Sequence, residues 1–390
     1  MMKVLWLTSW YPNKLDSMNG DFIQRHARAT SLFCDVHVIH LEPDRQNVLY
    51  KKTETSVSKQ DNLTEEIVLY KLSAVPYAAK YFSYRRYITI FKKCIKAYIE
   101  QYGKPAIVHV QVPMKAGILA LWVKKKYGIA YIVTEHWAIY NDIAPDAFKK
   151  RNFFFRSFTK RILQQAAMFT PVSAALGKAV QQLVAPVPFT PVANVADTCI
   201  FTFRKQKNPH NENFVFLHVS TLKHQKNPEG IIKAYSEFLK THPDALLVMV
   251  GGENDTFKTY AASLNIPVQN TLFTGFVSYS EVAEWMHKSD ALLMFSRYEN
   301  LPCVIIEALC SGLPVISTDV GGVSELLNKS NGLLIQSEDE SALLQAMLYM
   351  YNNKQKFDGE LIAKNAVMLF SYRVIGKRIY DIYISTLANN

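Results

Sequence analysis

The feature that most constrains this chain is a repeated alternation. Short apolar, β-branched runs are separated by stretches with helical periodicity. The runs fall at residues 4–7, 36–41, 67–72, 107–110, 131–134 and 168–171, and then at 214–219, 246–250, 271–273, 291–295, 315–317 and 332–335. Amphipathic stretches such as 231–239 lie between them. A βαβα order of this kind predicts parallel sheets covered by helices on both faces, an α/β class. A length of 390 residues allows two or three domains.

The two halves differ in charge. Residues 1–205 carry 29 Lys and Arg against 14 Asp and Glu, whereas residues 206–390 carry 15 against 19. A basic half suits a phosphate-bearing substrate, a nucleic acid or an anionic membrane. The polar run RKQKNPHNEN closes a segment, 194–213, that reads as a connector. Two doubly wound domains joined there would face each other across a cleft with strand C-termini lining it, the place where open α/β sheets take ligands. The expected division is 1–195 and 206–370, with a helical, amphipathic 371–390 crossing back to pack on the first domain and spanning both.

Several classes are disfavoured. Cys34, Cys94, Cys199, Cys303 and Cys310 are scattered and odd in number, which argues against a disulfide framework and for a reducing, cytoplasmic compartment. No C-x-x-C, D-x-D or H-E-x-x-H occurs, so no metal site is expected. The opening MMKVLWLTSWYP is too short in apolar residues for a signal peptide, and no run of 18 apolar residues predicts a membrane span.

The chemistry concentrates in residues 295–326, FSRYENLPCVIIEALCSGLPVISTDVGGVSEL. A strand ends near Phe295, a loop follows, and a helix is expected from about Pro302 to just before Gly312. The start of a helix binds anions through free N–H groups and the positive end of its dipole, each contact contributing about 0.3–2 kcal/mol. Glu299 lies in that loop, and Glu307 lies about five residues into the helix, roughly 7.5 Å from its start at 1.5 Å per residue. One carboxylate can reach the sugar side of a bound diphosphate and the other the ribose, because carboxylates accept from vicinal hydroxyls. Two glutamates at this spacing are otherwise solvated surface charges, or the acid and nucleophile of a glycosidase.

Glu299 and Glu307, followed by EALCSGLPVISTDVGG, resemble the donor-site signature of the retaining glycosyltransferases of family 4, the group 1 transferases, which have the GT-B fold of two Rossmann-like domains. The resemblance extends along most of the chain. VSTLKHQKNPEGIIKAY (219–235) is similar to the family's diphosphate motif, with Lys226 at the lysine position and Thr221 where an arginine is common; Lys223 stands three residues before Lys226. LFTGFVSYSEV (272–282) resembles the segment at the nucleobase and implies Val277 there. ANVADTCIF resembles the entry to the connector. VTEHW (133–137) resembles the strand end whose histidine, here His136, faces the transferred sugar or the acceptor. NGDFIQRHARA (19–29) resembles the turn into the first helix, making Gly20 a candidate for close approach to the donor phosphates. The family's Glu-Gly-Phe-Gly is here Glu299-Asn300-Leu301-Pro302, and Pro302 has no N–H, so Leu301 or Cys303 must supply any backbone contact.

The resemblance implies a retaining transfer of a hexose-type sugar from a nucleoside-diphosphate sugar to a glycan or lipid-linked acceptor, in cell-surface polysaccharide synthesis. It implies catalytic roles for His136, Lys226 and Glu299, a donor site of Gly20, Lys223, Lys226, Val277, Glu299, Asn300, Leu301, Cys303 and Glu307, and no cofactor or metal. Other readings are a GT-B epimerase and a sugar-nucleotide binding protein without catalysis. Lys226 could instead be a surface lysine, and His136 a hydrogen-bonded core histidine. Two basic-aromatic stretches, 77–104 and 149–161 (KKRNFFFRSFTKR), are either helices with solvated cations or a face that docks at the inner surface of an anionic membrane. No nucleic-acid-binding motif is present.

Overall fold

The structure, a computed structural model, describes residues 1–72, 79–205, 213–252 and 254–389. The start of the basic-aromatic stretch at 77 and most of the polar run at 206–212 lie outside the described residues. The chain forms two compact units, Met1–Ala193 with Tyr372–Asn390, and Asn194–Ser371.

The first unit runs β1 (Lys3–Thr8), α1 (Asp21–Ser31), β2 (Asp35–Asp44), β3 (Thr53–Gln60), β4 (Leu63–Lys71), α2 (Ala79–Tyr102), β5 (Ile107–Gln111), α3 (Ala116–Tyr127), β6 (Tyr131–Glu135), α4 (Phe153–Gln165), β7 (Met168–Pro171) and α5 (Ala174–Leu183). Its sheet has the order β3-β4-β2-β1-β5-β6-β7, parallel except for β3. Central strands such as Ile107–Gln111 and Tyr131–Glu135 are buried along their whole length, which is why apolar residues dominate them without alternating, although His109, Gln111, Thr134 and Glu135 are buried there too. β3 differs. Its sequence TETSVSKQ is polar on both faces and almost wholly exposed, so it gave no apolar signal. It is an edge strand, where polar side chains discourage pairing with another chain.

The second unit runs β8 (Val215–Val219), α6 (Pro228–Leu239), β9 (Leu246–Val250), α7 (Asp255–Ser263), β10 (Thr271–Gly275), α8 (Tyr279–Lys288), β11 (Ala291–Met294), α9 (Cys303–Cys310), β12 (Val315–Thr318), β13 (Gly332–Ile335), α10 (Glu340–Asn352) and α11 (Gly359–Phe370). All its strands are parallel, in the order β10-β9-β8-β11-β12-β13. Phe216, Phe238, Leu247, Met249 and Leu293 form its buried core. The strand order reverses between β8 and β11, and open sheets of this kind bind ligands outside the strand ends at that point.

The boundary between the units differs from the sequence expectation. Residues 194–205 pack on the second unit rather than linking to it. The Ala196 N–H donates to Phe370 O (3.0 Å), His287 Nε2 meets Thr202 O at 2.6 Å, and Phe201 is fully buried. A final helix, α12 (Tyr372–Ala388), belongs to the first unit, where Gly376 lies against the backbone of Ala29 on α1 and leaves no room for a Cβ.

Candidate active site

The second unit places two of the candidate side chains on the two loops that flank its reversal point. After β8 the chain turns through Ser220–Lys223 into a tight 3-10 turn, His224–Lys226, closed by Lys226 N–H donating to Lys223 O (2.7 Å). Asn227 then adopts a left-handed conformation (φ 47°), caps α6 by accepting from Gly230 N–H (3.2 Å), and is followed by Pro228 at the first helical position. After β11 the chain runs through Ser296–Leu301 into α9. The two loops are joined by their backbones. Arg297 N–H donates to Gln225 O and Gln225 Nε2 to Tyr298 O, both at 2.8 Å. Arg297 also donates through Nη1 to His224 O (2.5 Å) and through Nε to Glu338 (2.9 Å).

Across this junction Lys226 Nζ forms an ion pair with Glu299 Oε1, with side-chain exposures of 18% and 8%. The two residues singled out by sequence therefore meet. Lys223 is exposed on the same turn, among the described residues without an ion pair. Glu307 is buried on α9, one turn inside the helix. Pro302 is the extended residue before α9 (φ −69°, ψ 123°), so the helix begins at Cys303, one residue later than its expected start. The first turn of α9, from Cys303 onward, is the part of the helix that a phosphate would meet. Leu301 is buried, and its carbonyl accepts from Asn194 Nδ2 (2.7 Å). Asn300 O accepts from Gly322 N–H (2.7 Å).

The sequence does not show what several supports of these loops pack against. Gly321 has φ +60°, and a side chain there would strike the carbonyl of Glu299. Gly251 (φ +97°) and Gly252 (φ +64°), at the end of β9, lie against the backbone of Ser220 and Thr221 and leave no space for a Cβ. His218 is buried beneath the Lys226 turn. Its Nδ1 meets Leu293 O (2.8 Å), so it carries the proton there, and Nε2 accepts from the hydroxyl of Ser220 (2.7 Å), which in turn accepts from Leu222 N–H (3.0 Å). Burial holds its pKa down at about 4. Val277 is half-buried in the turn between β10 and α8, and Gly275 just before it accepts from Gly251 N–H (2.8 Å). The turn at Val277 thus lies beside the glycine pair.

In the first unit His136 follows β6. Its Nε2 stands 3.0 Å from Gln111 Oε1, and its ring lies near those of Phe22 (4.8 Å) and His26 (5.3 Å). Glu135, which sequence reasoning passed over, is fully buried and accepts from His136 N–H, Trp137 N–H and Tyr140 OH at 2.7–2.9 Å. Burial pushes its carboxyl up to about 7 against those bonds. A buried hydrogen-bonded chain runs beneath Gln111, whose Nε2 stands 3.2 Å from His109 Nε2. His109 Nε2 also meets the Thr134 hydroxyl (2.7 Å), which meets that of Thr170 (2.6 Å), and Thr170 lies 3.1 Å from Val133 O. His109 Nδ1 meets Tyr383 OH (2.7 Å), and that hydroxyl accepts from the Trp6 indole (3.1 Å). Burial keeps His109 neutral, its pKa well below the usual value. Tyr383 ties α12 to the layer on which His136 rests.

Gly20 is the left-handed residue before α1 (φ 69°), and what excludes a side chain there is Trp10. Among the described residues no group of three His, Cys, Asp or Glu is arranged to hold a metal ion, and no helix is long and apolar enough to cross a membrane.

Known proteins share both the sequence and the fold. Residues 27–198 match the family described as Glycosyltransferase Family 4, and residues 200–366 match Glycosyl transferases group 1. The provisionally named teichuronic acid biosynthesis glycosyltransferase TuaC of Bacillus subtilis is 27% identical over 379 residues, 92% of each chain. Among solved structures, sucrose-phosphate synthase from Thermosynechococcus elongatus superposes with a TM-score of 0.80 at 17% identity over the whole of both chains. Anabaena Alr3699/HepE in complex with UDP gives 0.74 at 16% over 99% of this chain and 100% of that one. With two parallel-sheet Rossmann-like units, and the donor-domain signature on the loops at the reversal point of the second, this chain belongs to the family 4 glycosyltransferases of the GT-B fold and is a transferase.

Proposed function

We propose that the chain moves a hexose-type sugar, with retention of configuration, from a nucleoside-diphosphate sugar held by its second unit to a glycan or lipid-linked acceptor held by its first. The observation that carries this is the Lys226–Glu299 ion pair on the two loops that flank the β8/β11 reversal point. A departing nucleoside diphosphate gains negative charge. Lys226, Lys223 on the same turn, and the first amides of α9 are the groups that can meet that charge without a metal, and preorganised donors of this kind stabilise the transition state more than the ground state. Glu299 takes hydroxyls of the sugar near the anomeric carbon, Glu307 takes the ribose, and the turn at Val277 takes the base. Alr3699/HepE was solved with UDP, which supports a uridine donor here. His136, held through Gln111 and Glu135, contacts the sugar or the acceptor.

A role in cell-surface polysaccharide synthesis is supported by the likeness to TuaC. Peripheral attachment at the cytoplasmic face of a membrane is supported by the first unit. Phe153 and Phe154 are exposed at 69% and 72%, Ile143 at 61%, and Lys149, Arg156 and Lys160 line an adjoining cavity of about 530 Å³. Apolar side chains ringed by cations suit an anionic lipid surface. The test incubates the protein with UDP-sugars, with and without anionic vesicles carrying polyprenyl-phosphate-linked glycans, and analyses products by NMR. A new glycosidic bond with the donor's anomeric configuration is expected. An epimerised donor in the absence of any acceptor would replace this reading with an isomerase.

A further inference from the structure

A cavity of about 310 Å³ on the first unit is lined by Trp10, Asn19, Glu42, Arg45, Gln46 and Lys115 among others. That is the size of a small-molecule site at the lower end of the range, roughly 300–1,000 Å³. Its walls come from the ends of β1, β2 and β5. β1 and β5 flank the reversal in strand order of the first sheet, so the cavity stands where such a sheet takes a ligand.

Three observations say what it takes. First, Lys115 holds a backbone conformation, φ 77° and ψ −72°, that is rare and strained for a residue with a Cβ. Val112, three residues earlier, is also left-handed at φ 64°. Ser9 at the end of β1 keeps the turn in place. Its Oγ accepts from Ala116 N–H (3.2 Å) and lies within hydrogen-bond reach of the carbonyls of Val112 and Met114. Second, the loop that presents Arg45 is folded over the Asp44 carboxylate, which accepts from Val48 N–H (3.1 Å) and Leu49 N–H (2.8 Å). Both cations are therefore carried by fixed backbone. Third, the lining sets two cations beside two carboxylates, and Glu42 acts on the Lys115 ammonium through space, but the carboxylates have their hydrogen bonds elsewhere. Asp16 already accepts from Met18 N–H (3.0 Å), and Glu42 accepts from Asn19 Nδ2 (3.3 Å) and stands 3.4 Å from His40 Nε2. Among the described residues neither Lys115 nor Arg45 has a side-chain hydrogen bond or ion pair.

The geometry points to a site for a negatively charged group of the acceptor, a carboxylate or a phosphate, gripped by Lys115 and Arg45 while Glu42 and Asn19 meet neighbouring hydroxyls. This rests on the reading of the chain as a transferase whose first unit holds the acceptor. It makes the acceptor an acidic glycan or a phosphate-bearing one.

Calorimetric titration of the full chain, with and without UDP, tests it with three probes: p-nitrophenyl β-glucuronide, its neutral glucoside, and p-nitrophenyl phosphate. The glucuronide or the phosphate is expected to bind at least about tenfold more tightly than the glucoside, and whichever binds assigns the anion. The preference should vanish in Lys115→Ala/Arg45→Ala with UDP affinity unchanged. Lys115→Gly, which suits the backbone better, should raise the melting temperature and still lose the preference, separating recognition from folding. Equal affinity for glucuronide and glucoside with no binding of the phosphate, or a preference that survives in the double variant, overturns the assignment. Failure of UDP to bind the unmodified chain would instead count against the donor reading and leave the anion result to stand by itself.

Discussion

Lys226 and Glu299, 18% and 8% exposed, hold a cation and an acceptor at one point with little freedom to move. If Lys226 meets the charge on the leaving diphosphate, Lys226→Ala should lower turnover by about 10²–10³-fold, roughly 2.7–4 kcal/mol, the cost of losing one preorganised donor. Steady-state kinetics with saturating donor measures this, and near-normal turnover would remove Lys226 from the mechanism. The buried histidines set a pH response. Burial lowers His26 and His218 to about 4, so between that value and the ordinary 6.5 the unfolded chain binds protons that the folded chain does not. Their effect is absent above about 6.5, and stability is lost as pH falls toward 4. Glu135, raised to about 7, acts in the opposite sense, since its folded form takes up a proton first as pH falls from 7 to about 4.5. His26→Asn should therefore lose less stability than the unmodified chain between pH 7.5 and pH 5, by about 2 kcal/mol in denaturant titrations. Parallel losses in the two proteins would mean that His26 is not the group titrating.

Elements place those residues, and here the sequence was legible in part. β8 and β11 are buried parallel strands whose apolar runs stand out, and the loops after them carry charged residues at motif spacing, so Lys226, Glu299 and Glu307 could be named before any coordinates. Their supports could not. Gly251, Gly252 and Gly321 look like turn glycines, and only the fold shows which backbone each lies against. Asn194 is far from Leu301 in sequence, yet donates to its carbonyl. β3 has no apolar face, and the site in the first unit depends on a strained lysine that no pattern announces. Two element-level outcomes follow. Gly321→Ala should cost at least about 1–2 kcal/mol from its left-handed backbone alone and should weaken nucleotide binding as Glu299 is displaced; a thermal melt and a UDP titration read both. Tyr383→Phe removes the hydroxyl that receives the Trp6 indole and bonds to His109, leaving buried polar groups unmatched at about 1–3 kcal/mol. An unchanged melting temperature would mean that α12 is held by apolar packing alone.

At the scale of the whole molecule, the division of charge follows the division into units. The basic half forms most of the first unit, with its exposed aromatics and the cavity lined by Lys115 and Arg45, while the second half carries a slight acidic excess and the signature loops. The family match and the fold carry the transferase assignment. The claim that everything else rests on is that the second unit grips a nucleoside diphosphate through the Lys226 turn and the start of α9. The most direct measurement is thermal denaturation of the full chain against a panel of nucleoside mono- and diphosphates, with Lys226→Ala alongside. A diphosphate at about 100 times its Kd should add roughly 2.7 kcal/mol of stability. The corresponding monophosphate should add less, and most of the gain should disappear in the variant. No stabilisation by any nucleoside diphosphate, or an equal gain in Lys226→Ala, would contradict the account.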